Sequence, residues 1–225
     1  MNKETIIISL GGSMVAPNDI DLGFLKSFKY SLKKYLGTKR FFIIVGGGKI
    51  ARNYQKALLE FGAKATDRDW IGINVTRLNA EVVKQLFGAD CYSEIIADPN
   101  KKITTNKNIV IGAGWKPGWS TDYVATLLAK NHNIKTIINL SNIDYVCDKN
   151  PCEFPGAKPL EKIDWKSFRR IVGDVWSPGL SMPFDPRASK VADSLKLKVA
   201  IINGKYLERL EDFLNDKPFI GTVIQ

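Results

Sequence analysis

The chain has 225 residues, 44% of them hydrophobic and 25% charged, with a formal net charge of +10. That length suits one large domain or two lobes sharing a core, and the balance is that of a soluble globular protein. No apolar run approaches the roughly 20 residues of a membrane span, and the opening MNKETIIISLGGS runs into a glycine turn rather than a signal-peptide cleavage site, so a cytoplasmic protein is expected.

Residues 4–10 form a short apolar strand that ends in Gly11-Gly12-Ser13. Leu22, Leu25, Phe28, Leu32 and Leu36 then recur at helical spacing. Residues 40–45 read as a second buried strand, ending in Gly46-Gly47-Gly48, with a helix over 49–61. A long helix is expected over 70–87. Residues 109–111 make a third strand, followed by GAGWKPGWSTD and a largely buried helix over 120–130. Residues 135–140 are a fourth strand ending in Ser141-Asn142, and the proline-bearing stretch 145–159 reads as a hairpin or excursion. Helices over 164–171 and 186–195, a strand over 198–203 and an edge strand over 219–224 complete the pattern. Strands joined by helices imply an α/β fold, a mainly parallel sheet covered on both faces.

Cys91, Cys147 and Cys152 form no CxxC pair, which suggests reduced thiols and no zinc site. The single histidine, His132, lies in Asn131-His132-Asn133 and reads as a surface turn residue. The positive charge favours anionic partners. Its lysines are scattered, as in Lys26, Lys29, Lys33 and Lys34, and no aromatic-rich RNA-binding motif accompanies them. A solvated face is therefore preferred to a nucleic-acid surface.

Four strands end in small or polar turns: LGGS, VGGGK, GAGWKPGWST and LSNID. In an open parallel sheet the carboxyl ends of the strands line the ligand crevice. Glycine there lets backbone N–H groups approach a ligand, and the following helix points its positive end the same way. Such turns together suit more than one phosphate group. Gly46-Gly47-Gly48-Lys49-Ile50-Ala51 also fits GxGxxA, but this pattern follows the second strand rather than the first, so phosphoryl transfer is preferred to dinucleotide binding. GxxxxGK[ST], HRD and GxSxG are all absent, which removes P-loop, protein-kinase and nucleophile-elbow chemistry.

The ordered set LGGS, VGGGKIAR, DWIGINVTRLNA, PGWSTDYVATLLA, LSNIDYV and PFDPRASK resembles the amino acid kinase superfamily, and within it the uridylate kinases of the archaeal type. The likeness covers essentially the whole chain. It implies a three-layer α/β/α sandwich, with an acceptor-binding lobe over about residues 1–133 and an ATP-binding lobe over about 134–225. It also implies transfer of the γ-phosphoryl of ATP to UMP, with Mg²⁺ entering on the nucleotide, in a homo-oligomer built from dimers and possibly a hexamer.

Residue by residue, the resemblance places Gly12, Gly48 and Arg52 at the reacting centre. ATP would meet Gly11, Gly12, Ser13, Gly48, Arg52, Ser141, Asn142, Cys147 and Asn150. UMP would meet Gly46, Gly47, Asp69 and the loop Gly114, Trp115, Lys116, Pro117, Gly118, Trp119, Ser120 and Thr121. Several of these have structural alternatives. Arg52 also suits a solvated helix face. Asp67 or Asp69 could cap the long helix, as Ser120 or Thr121 could cap the next one, where Asp122 is favourable beside the helix dipole. One of the two tryptophans could pack the loop or a subunit contact. The chain departs from the family at Cys147, where a tyrosine usually walls adenine, and at Asn150, where an acidic residue contacts the donor. Ser9 stands where many superfamily kinases carry a lysine, leaving Lys49 or Lys190 to supply that charge. Two other readings fit the same residues: a superfamily kinase with a different small acceptor, or a nucleotide- or anion-binding protein without turnover.

Overall fold

The computed structural model describes residues 3–173, 175 and 182–225. The β-branched run ETIIISL forms strand β1 (Glu4–Leu10). A single helical turn, α1 (Gly12–Val15), follows directly, then helix α2 (Leu22–Lys33), capped by Asp21, and strand β2 (Lys39–Val45). Helices α3 (Gly48–Glu60) and α4 (Ala65–Phe87) pack on each other and lead to β3 (Ile109–Gly112). Next come α5 (Thr121–Asn131), β4 (Thr136–Ser141), a two-stranded excursion of β5 (Val146–Cys147) and β6 (Pro159–Leu160), and then β7 (Lys162–Ile163). The chain finishes with α6 (Trp165–Val172), α7 (Pro186–Ser194), β8 (Lys198–Asn203), α8 (Leu207–Leu214) and β9 (Thr222–Ile224).

The main sheet has the order β3-β2-β1-β4-β8-β9-β7. Its pairings are parallel except β8 with β9. Alternation along each strand builds the two outer layers. Ile6, Ile8 and Leu10 of β1 face a core shared with Leu25 and Phe28 of α2, Val83 of α4 and Leu210 of α8. Ile7 faces the opposite core, with Val124 and Leu128 of α5, Phe168 of α6 and Ala188 of α7. The expected three-layer α/β/α sandwich is thus observed.

Some expected boundaries move. The long helix starts at Ala65 rather than 70, and its N-cap is Lys64 with no side-chain cap bond, so neither Asp67 nor Asp69 caps it. The last strand is shorter than expected and is not an edge: β9 lies between β8 and β7, because two-residue β7 pairs beyond it. His132 does end α5, yet its ring packs edge-on against Phe42 at 5.3 Å. Desolvation there holds its pKa below the usual histidine value. No helix of the described residues is long and apolar enough to cross a membrane.

β1 is flanked by β2 on one side and β4 on the other. The chain winds outward to β3 and then returns to β4. That reversal opens a crevice at the carboxyl ends of β1 and β4, where α/β sheets bind ligands.

Candidate active site

Two glycine turns meet at this edge, backbone against backbone. The amide of Gly46 donates to Leu10 O at 2.8 Å, and that of Gly11 to Leu140 O at 2.9 Å. A Cβ on Gly12 would lie 2.2 Å from the amide nitrogen of Gly48. One on Gly48, whose φ is +64°, would lie 2.4 Å from the carbonyl carbon of Gly12. Glycine is therefore required here for chain-on-chain contact as well as for left-handed backbone. Buried Asn79 of α4 holds the second turn by donating from Nδ2 to Gly46 O at 2.9 Å.

The contact sets the starts of α1 and α3 side by side. The amides of Gly11 and Gly46 are used by the sheet. Gly12, Ser13 and Gly48 stand in the first turns of their helices, where N–H groups lack intrahelical acceptors. Helix starts of this kind attract anions.

Beside this contact lies a cleft of about 190 Å³, lined by residues that include Gly47, Gly48, Arg52, Asp69, Gly114, Trp119, Ser120 and Thr121. One cleft thus gathers eight of the expected positions from three separate segments. Arg52 is exposed there, and among the described residues it has no hydrogen-bond or ion-pair partner. Ala51, Gln55, Gly72, Ile73 and Thr76 also line it. These went unread because they carry no charge and look like ordinary helix-packing positions. Gly46, Trp115, Lys116, Pro117 and Gly118 do not line it.

The GAGWKPGWSTD loop is tied down at several points. Gly114 N donates to Thr76 Oγ1 at 2.8 Å, and a Cβ on Gly114 would collide with that oxygen at 2.9 Å. Trp115 O accepts from Arg77 Nη2 at 3.2 Å. Pro117 and Gly118 make the turn, with Gly118 at φ +84°, the Pro-Gly signature of a turn needing positive φ. Gly118 N donates to Asp69 Oδ2 at 2.7 Å, so Asp69 anchors the loop as it lines the cleft. The indoles form a row: Trp115 to Trp119 at 6.0 Å, and Trp119 to Tyr123 at 4.3 Å. Lys116 Nζ sits 4.0 Å from the Trp115 ring centre, a cation–π contact. Ser120 resolves as the cap of α5, accepting from Tyr123 N at 3.1 Å.

Asp122, read as a helix-dipole residue, is a hub. Its Oδ1 accepts from Ser9 Oγ at 2.8 Å and from Asn139 Nδ2 at 3.4 Å, and its Oδ2 accepts from Asp185 N at 3.2 Å. Ser9 and Asn139 are register partners on β1 and β4, both buried. Desolvation pushes the Asp122 carboxyl up to about 6; the Ser9 hydrogen bond opposes the shift and the charge of Asp185 adds to it. Asp185 caps α7 through Oδ1 to Ala188 N at 2.7 Å. Its Oδ2 and the Ser141 Oγ are buried with no hydrogen-bond partner among the described residues. Neither lysine proposed to replace a β1 lysine enters the cleft lining: Lys49 bonds Asn18 Oδ1 at 2.8 Å, and Lys190 borders a different hollow.

On the other side of β4, Ser141 ends the strand, Asn142 is exposed, and Cys147 lies half-buried on β5. Asn150 is occupied locally, donating to Glu153 Oε1 at 2.7 Å and accepting from Cys152 N at 3.1 Å.

A doubly wound sheet with glycine turns, helix starts and an exposed arginine at one edge is the framework of a phosphoryl-transfer protein. Residues 4–203 match the amino acid kinase family, and the chain belongs to it. Among its relatives, the uridylate kinase of Thermococcus kodakarensis is 34% identical over 223 residues, 98% of this chain and 99% of that one. The uridylate kinase of Pyrococcus abyssi is 33% identical over the same share of each. The crystal structure of uridylate kinase from Archaeoglobus fulgidus superposes with a TM-score of 0.84 at 29% identity, covering 98% of this chain and 99% of that one.

Proposed function

We propose that the protein transfers the γ-phosphoryl group of ATP to UMP, giving UDP and ADP, by one in-line displacement. A UMP phosphate oxygen forms the new P–O bond as the bond between the γ-phosphorus and the ADP oxygen breaks. Such a reaction needs positioning and charge stabilisation rather than a covalent nucleophile. The observation that carries this reading is the Gly12–Gly48 contact, which brings two helix starts together beside Arg52 and the cleft.

In this reading UMP occupies the cleft. Its phosphate meets the start of α3 and Arg52, its ribose lies by Asp69, and its base lies against Trp119. Gly47, Ser120 and Thr121 complete that wall. Residues 1–133 supply this acceptor half. Residues 134–225 supply the donor half, with ATP along Ser141, Asn142, Cys147 and Asn150, and its terminal phosphate reaches across to Gly11, Gly12 and Ser13 of the first half. Mg²⁺ enters with ATP. Phosphate oxygens and water would supply most of its shell, as Mg²⁺ prefers. Asp122 and the unpaired Asp185 Oδ2 are the hard oxygen groups of this edge that suit it. When bound, the ion would neutralise phosphate charge; Arg52 and the backbone amides orient the oxygens.

The protein is also read as a homo-oligomer. Helix α3 buries only Ala51, while Tyr54, Leu59 and Phe61 beside Trp70 and Leu78 of α4 remain exposed. A second copy would cover this apolar face.

The deciding experiment is ADP release measured with each nucleoside monophosphate in turn. Turnover on UMP with little on AMP or GMP supports the proposal. Binding of UMP and ATP without ADP release would make the protein a nucleotide-binding relative without catalysis.

A further inference from the structure

Trp119 borders two hollows. The second, of about 340 Å³, lies between α5 and α7 and is lined by Trp119, Tyr123, Pro186, Arg187, Lys190 and Val191. Both charged residues in it are cations. The acidic residues of the same two helices are engaged elsewhere: Asp122 with Ser9 and Asn139, and Asp193 with Arg169 at 3.1 Å. Asp185, which caps α7, bonds Ala188 N. Lys190 is exposed and has no ion-pair partner among the described residues. The Arg187 guanidinium lies 6.0 Å from the Trp119 ring centre, and Lys116 Nζ lies 5.8 Å from it.

Two close aromatic rings with cations at their rim suit a planar base joined to phosphate: the base stacks on an aromatic face, and cations neutralise the anion. We infer that this hollow is a second nucleotide site, outside the cleft, where a nucleoside phosphate places its base against Trp119 and Tyr123 and its phosphate on Arg187 and Lys190.

Besides Trp119, Gly118 joins the hollow to the cleft. Gly118 N donates to Asp69 Oδ2 on the cleft wall, and Gly118 O accepts from Arg187 Nη1 at 2.8 Å on the hollow wall. An occupant that draws Arg187 away loosens one of the bonds holding the loop. Occupancy of either site therefore changes affinity at the other, and by linkage the effect is reciprocal.

The test is equilibrium dialysis with radiolabelled UMP on the full chain, comparing wild type, Lys190→Glu and Lys190→Arg. Position 190 is exposed, so both variants fold. The proposal expects two classes of site per chain in wild type and in Lys190→Arg. In Lys190→Glu it expects the weaker class to lose at least tenfold in affinity while the tighter class remains. A single class in wild type overturns the proposal, as does a weaker class unchanged in Lys190→Glu. Loss of both classes in Lys190→Glu would place Lys190 in the cleft and overturn it too.

Discussion

Gly12 and Gly48 touch through their backbones, so closely that a Cβ on Gly12 would fall 2.2 Å from the Gly48 amide nitrogen. Neither atom can yield like a flexible side chain, because both turns are pinned to the sheet by Gly11 N to Leu140 O and Gly46 N to Leu10 O. Gly12→Ala is expected to cost about 3 kcal/mol, the upper end of overpacking, and to lower Tm by roughly 10 °C. Turnover falls further than stability accounts for, because the two helix starts separate. Calorimetry and ADP release at a temperature where the variant is folded check this. Wild-type activity in a folded Gly12→Ala would remove the contact from the mechanism.

In the proposed reaction Arg52 acts on phosphate, and no contact of the described residues makes it part of the fold's support. It is exposed at the cleft mouth, with no partner among the described residues. Arg52→Ala should reduce turnover about 100- to 1000-fold, the size of losing one preorganised donor to developing charge. Its circular dichroism and Tm should match wild type. Unchanged activity would place the arginine outside the site.

Much of this was legible from the chain. The run ETIIISL announces a buried strand, and the glycine turns sit where strands stop. The eight expected positions in the cleft came from the likeness of the ordered motifs to the amino acid kinase family; the glycine turns alone mark strand ends and do not assign those roles. The Asp122 hub was not legible, since its partners Ser9, Asn139 and Asp185 lie 113, 17 and 63 residues away. Only the parallel pairing of β1 with β4, with α5 and α7 packed together beside it, brings them together. Strand β9 reads as an edge from sequence because its outer neighbour, two-residue β7, is too short to leave a period. The glycines were expected to admit phosphate. Gly12 and Gly48 turn out to admit each other as well, which strand-end composition cannot reveal.

Asp122 makes stability depend on pH. Its folded pKa of about 6 lies above the ordinary value of 3.8. The fold therefore favours the protonated form, and it loses stability as pH rises through the window from 3.8 to about 6. The full loss is on the order of 3 kcal/mol and persists above that window. Asp122→Asn removes the titration. It keeps an acceptor for Ser9 but turns an amide toward Asp185 N–H, so its gain at pH 8 is smaller than that figure. Tm measured from pH 4 to 8 should fall less with pH in the variant than in wild type. Parallel curves would show that Asp122 does not titrate in this range.

Asp69 joins the cleft to the loop through Gly118 N at 2.7 Å. Asp69→Ala leaves that amide unpaired and frees the loop that carries Trp119. The KM for UMP should rise at least tenfold, matching about 1.5–3 kcal/mol for a hydrogen bond to a charged group. The KM for ATP should change little. An equal rise for both substrates would assign Asp69 a general structural part.

The convergence of both substrates on the Gly12–Gly48 contact is tested most directly by a crystal structure with UMP and a non-hydrolysable β,γ-imido analogue of ATP. The account predicts the UMP phosphate at the start of α3 beside Arg52, with the terminal phosphate of the analogue at the start of α1 and in line with a UMP phosphate oxygen. Phosphates bound away from this contact, or held too far apart for one transfer step, would contradict it.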